Sequence, residues 1–100
     1  MMPKKRPVHP GVIVREDVLK ELDLTQAQLA RALGVSRRTI NELVNEKRSV
    51  TAEMALKLGR FTGTSPEMWL NLQNTVDLWD AYHDTSTCIE CVRPYNEAVV

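Results

Sequence analysis

The 100-residue chain is 43% apolar and 26% charged, with 13 Lys+Arg balanced by 13 Asp+Glu. Those figures fit one compact domain with enough apolar material for a core, and they exclude a multidomain assembly and a wholly disordered chain. No apolar run exceeds three residues, so neither a transmembrane helix nor the core of a secretory signal is expected.

Residues 1–8, opening MMPKKRP, have a basic start with no apolar stretch behind it and are expected to form a flexible arm. A first helix is predicted from Pro10 to about Leu22. Pro at a first turn loses no needed hydrogen bond, and Ile13, Val14, Val18, Leu19 and Leu22 recur at helical steps. His9 is read as a loop or capping residue. Thr25 with Gln28 has capping-box spacing. The second helix follows through Leu29, Ala30 and Leu33, and Gly34 ends it. Ser36 caps a third, running to about Val44 with Ile40 and Leu43 inward. Thr51 caps a fourth through Met54, Ala55, Leu58 and Phe61, ending near Gly63. Ser65-Pro66-Glu67 starts a fifth, to about Tyr82.

The expectation is therefore an all-α domain of five helices over residues 9–82, followed by a tail, residues 83–100, read as mobile. In that tail Thr85, Thr87, Ile89, Val92 and Tyr95 favour extended structure, and Pro94 limits any strand to a few residues.

The two short middle helices carry the functional signal. A helix-turn-helix needs a small residue where the helices cross, a turn, a plug in the angle and a closed core. Ala30, Gly34, Val35 and the set Leu29, Leu33, Ile40 and Leu43 supply these in register. From the second of these helices project Arg37, Arg38, Thr39, Asn41 and Glu42. A helix fits the major groove with its N-terminal residues nearest the base edges. Arg suits guanine, Thr a thymine methyl, Asn adenine and Glu cytosine, so these five are the candidate base readers. Gln26, Ser36, Asn45, Lys47 and Arg48 are the candidate phosphate contacts.

Charge is distributed accordingly. Residues 1–50 hold 10 basic and 6 acidic side chains, and residues 51–100 hold 3 and 7. One surface for a polyanion is expected, with the acidic half turned away from it. The fifth helix carries more apolar surface than one helix needs. Trp69, Leu72, Val76 and Trp79 are candidates for a twofold interface, with the core the favoured place for Trp69 and Trp79 equally suited to either.

TQAQLARALGVSRRTIN (residues 25–41) resembles the helix-turn-helix of the phage-repressor-like (XRE) family. Within it, His9-Pro10-Gly11, Arg37 to Asn45, Thr51 to Ala55 and Thr64 to Gln73 (TSPEMWLNLQ) resemble the HigA/VapI branch. The resemblance spans residues 9–82 and implies a lambda-repressor-like fold. It further implies an antitoxin that binds a palindromic operator DNA as a homodimer, represses its own operon, and neutralises a HigB-type mRNA-cleaving toxin. A free-standing XRE-family repressor shares the same DNA-reading residues and remains the alternative.

Cys88-x-x-Cys91 points to other chemistry, either metal binding with His83 upstream or a thiol-dependent enzyme or sensor. With no second CxxC, the pair is expected to be free thiols, and no metal or other cofactor is anticipated. Two cysteines so placed cannot staple a small secreted domain, which makes the cytoplasm the expected compartment. No Ser/His/Asp set, paired carboxylates or glycine-rich phosphate loop suggests an enzyme.

Overall fold

Short polar side chains set where the helices begin. In the computed structural model, which describes residues 2–84, 86 and 88–95, α1 (Pro10–Ile13) runs directly into a π-helical stretch (Val14–Lys20). Then come α2 (Gln26–Leu33), α3 (Arg37–Val44), α4 (Ala52–Thr62) and α5 (Pro66–His83), and a 3₁₀ turn at Ile89–Cys91. The hydroxyls of Thr25, Ser36, Thr51 and Ser65 accept from the backbone N–H three residues on, at 3.0–3.2 Å. Thr25 and Gln28 close a full capping box. Each such cap contributes about 1 kcal/mol. Gly34 ends α2 at φ 70°, a left-handed conformation that costs a Cβ-bearing residue strain.

The core is one cluster in which Val14, Leu29, Ile40, Leu43, Ala55 and Leu58 are fully buried. Each large aliphatic side chain of this set contributes about 1.5–3 kcal/mol by leaving water. Ala30 is buried at the α2–α3 crossing, and Val35 packs partly buried against the cluster, its N–H donating to the Ala30 carbonyl. The start of α1 presses on the end of α3 so closely that a Cβ on Gly11 would collide with the Leu43 carbonyl. No helix among the described residues is long and apolar enough to cross a membrane.

Several expectations are corrected. The first helix is mostly π-wound. The helix ends at Lys20, and Leu22, in the turn beyond it, is 52% exposed rather than on the core face. Phe61, at the end of α4, is 38% exposed. Trp69 and Val76 are each 1% exposed within the single chain, so neither has side-chain area left for a twofold partner. Trp69 instead donates its indole N–H to Thr64 Oγ1 at 2.9 Å.

The arm is docked, not free. Trp79 donates to the Pro3 carbonyl at 3.1 Å, and Arg6 grips Asp80 bidentately at 2.8 and 2.9 Å. Cys88 and Cys91 are joined as a disulfide rather than free, their Cα atoms 5.2 Å apart. The tail forms a 3₁₀ turn there and no strand among its described residues. Met1, Thr85, Thr87 and residues 96–100, which also figure in the arm and tail expectations, lie outside the described residues.

His9 is 3% exposed and caps α1, its Nδ1 accepting from the Gly11 N–H at 2.9 Å. Burial pushes its pKa below the ordinary value of 6.5. Below pH 6.5 the unfolded chain therefore binds a proton that the folded chain resists, and stability falls as the pH is lowered. Thermal melts should show Tm declining from pH 6.5 downward, and His9→Asn, which keeps a capping oxygen without the titration, should flatten that decline. Parallel profiles for the two proteins would contradict the assignment.

Candidate nucleic-acid interface

The N-terminal half of α3 presents two exposed cations. Arg37 is exposed and forms no ion pair among the described residues, and the Arg38 side chain is 85% exposed. Both stand in the first turn of α3. Thr39 is half-buried, its hydroxyl 2.8 Å from the Ser36 hydroxyl. The Ser36 oxygen accepts from the Thr39 N–H in the cap, and its O–H remains a donor, toward the Thr39 hydroxyl or toward a phosphate.

Asn41 and Gln26 lie against each other across the turn, Asn41 Nδ2 donating to Gln26 Oε1 at 3.2 Å. One candidate base reader and one candidate phosphate contact thus share one patch. Asn45 closes α3, donating to the Asn41 carbonyl at 2.8 Å. Lys47 is exposed just beyond and, like Arg37, unpaired among the described residues.

Glu42 sits between two arginines. Arg48 reaches Oε1 at 2.7 and 3.1 Å and Arg38 reaches Oε2 at 3.1 Å. Arg48 first, then Arg38, hold the Glu42 carboxyl below the usual carboxylate range. In the free protein the carboxylate is thus engaged with a candidate base reader and a candidate phosphate contact.

The chain as a whole has counterparts among known proteins. The helix-turn-helix family HTH_3 matches residues 16–69. The chain belongs to the helix-turn-helix family. It is 38% identical over 91 residues to antitoxin HigA-1 of Vibrio cholerae, covering 91% of this chain and 86% of that protein. The antitoxin HigA of Pseudomonas aeruginosa, solved with the higBA promoter, superposes with a TM-score of 0.83 at 45% identity, covering 90% of this chain and 99% of that one. Antitoxin GraA, solved in complex with its operator, matches with a TM-score of 0.82 at 42% identity over 94% and 96% of the two chains.

Three residues that hold the helix-turn-helix site in place are not evident from the sequence pattern. Arg15 donates to the Val44 carbonyl at 3.0 Å, placing a cation on the last turn of α3, where the helix dipole favours one. Gln73, 4% exposed on α5, accepts from the Val50 N–H at 2.8 Å and so fastens the loop after α3 to the fifth helix. Arg6 reaches Glu46, two residues past α3, at 2.9 Å. Only Gln73 leaves a readable signal, as a polar residue inside the apolar stripe Trp69, Leu72 and Val76, where burial demands a hydrogen-bond partner.

His83 donates from Nδ1 to the Trp79 carbonyl at 2.8 Å and stacks on the Trp79 ring, centroids 3.8 Å apart. Among the described residues no group of three or more His, Cys, Asp or Glu is placed to hold a metal ion.

The Glu42 geometry predicts the effect of removing it. Glu42→Ala frees both arginines and deletes a negative charge, which should raise affinity for random duplex DNA. The operator-to-random affinity ratio should fall on the order of tenfold, within the discrimination that a single base-reading pair supplies. Paired titrations of both duplexes measure this ratio, and an unchanged ratio would contradict the positioning role.

Proposed function

We propose that this protein is a DNA-binding repressor and antitoxin. As a homodimer it binds a palindromic operator in the DNA upstream of its own operon, and it neutralises a HigB-type mRNA-cleaving toxin encoded alongside it. The observation that carries this reading is the exposed Arg37–Arg38 pair in the first turn of α3, on a chain that superposes on a HigA antitoxin solved with its promoter. The reading places it in the cytoplasm with its DNA and gives it no catalytic role.

In this reading Arg37, Arg38, Thr39 and Asn41 face base edges, and Glu42 orients Arg38 rather than reading cytosine itself. Gln26, Ser36, Asn45, Lys47 and Arg48 contact phosphates. The twofold contact lies on α5. Leu72 and Trp79 are only partly buried there, and Leu78 and Tyr82, one turn apart, are 61% and 51% exposed. Two copies of α3 about 34 Å apart then enter successive major grooves on one DNA face.

Two experiments test the reading. Arg38→Ala should weaken operator binding by about 1–3 kcal/mol and relax base preference, whereas Lys47→Ala should lower affinity evenly across sequences. Operator titrations in which neither substitution has an effect would show α3 to be wrongly placed. Co-purification of the tagged chain with the product of a toxin-sized neighbouring reading frame is expected. Failure to associate at micromolar concentration would leave a free-standing repressor.

A further inference from the structure

The N-terminal arm, expected to be loose, lies against the end of α5 and the loop that follows α3. Arg6 joins Asp80 near the end of α5 to Glu46 just after α3, and the Pro3 carbonyl is held by Trp79. Arg6, Glu46 and Asp80 line one cleft together with Lys47 and Arg48, two candidate phosphate contacts. Residues 3–6 are therefore fixed at two points beside the phosphate-contacting loop.

The charges at this place are arranged to favour a polyanion. Glu46 and Asp80 stand next to Lys47 and Arg48 and would repel a phosphate backbone. The Arg6 guanidinium neutralises both. Lys4 and Lys5, the two residues between the anchor points, are exposed and form no ion pair among the described residues. Their charge is left available one and two residues from a side chain that touches the end of the reading unit.

We propose that the docked arm is part of the DNA-binding surface: Arg6 cancels the carboxylates of Glu46 and Asp80, and Lys4 and Lys5 contact backbone phosphates beyond those reached by Lys47 and Arg48. The partner is duplex DNA, engaged through its phosphates and without regard to base. This inference rests on the DNA-binding reading above and extends its footprint. The arm's role is electrostatic, so it adds affinity and salt dependence but no sequence preference.

The test compares the wild-type chain, Lys47→Ala and the double variant Lys4→Ala/Lys5→Ala. Each is titrated against a duplex carrying the DNA upstream of its own gene and against a random duplex of equal length, from about 50 to 200 mM salt. The double variant should lose affinity for both duplexes by a similar factor. Its plot of log affinity against log salt should be shallower by about 0.9 for each phosphate no longer neutralised. Both lysines are exposed, so its Tm should match the wild type. Arg6→Ala, which undocks the arm and uncovers two carboxylates, should also weaken binding to both duplexes. A double variant with wild-type affinity and slope, alongside a Lys47→Ala variant that does lose affinity, overturns the arm proposal and leaves the DNA reading standing. A wild-type chain that binds neither duplex overturns both.

Discussion

An eight-residue helix is not stable alone in water, because isolated helices shorter than about 12–15 residues do not offset the cost of nucleation. The helix that carries Arg37 and Arg38 is eight residues long. It exists because Ile40, Leu43 and Val44 are buried against the rest of the core, and its position is set by what holds its two ends. Ser36 caps the first turn, and Arg15 binds the last-turn carbonyl of Val44. Gln73 anchors the following loop to α5. The candidate base-reading side chains are thus mounted on a helix held by its own cap and by two other helices, which is what major-groove recognition requires of a docking unit.

Those same anchors connect the site to the surface proposed for dimerisation. Gln73 ties α5 to the loop carrying Lys47 and Arg48, and Arg6 ties α5 to Glu46 at the start of that loop. The spacing of two reading helices in a dimer depends on how rigidly each is held relative to the dimer helix. Two hydrogen-bonded links at the α5 side make that relation a property of the fold. The zero net charge conceals this arrangement. The acidic excess of the second half is not wholly turned away from the basic surface, since Asp80 adjoins it, and Arg6 is the residue that makes the juxtaposition tolerable.

The local features were legible in the sequence and the distant ones were not. Each hydroxyl cap acts on a backbone group three residues away, so Thr25, Ser36, Thr51 and Ser65 announce their helices without reference to the fold. Gly34 is readable for the same reason, as a left-handed helix end. Helical periodicity marks the right elements, yet it carries the first helix on to Leu22, whereas that helix ends at Lys20 and Leu22 is exposed in the turn beyond. It also could not say whether an apolar residue on α5 meets its own core or a second chain, and Trp69 and Val76 fell to the core. The Arg6–Asp80 pair joins residues 74 positions apart, with nothing local to mark it. The five candidate base readers were named from residue type and position alone, but residue type did not show that Glu42 is occupied by Arg38 and Arg48.

In the proposed function the first turn of α3 enters the major groove of the DNA upstream of this chain's own operon, twice, in a twofold arrangement. Dimethyl sulfate footprinting of that DNA measures it directly, because the reagent reports guanine N7 in the major groove and adenine N3 in the minor groove. Protection of guanine N7 is expected in two half-sites about 10 base pairs or a multiple apart, with adenine N3 unprotected within them. Protection confined to adenine N3, or no protection at concentrations that saturate binding, would contradict it.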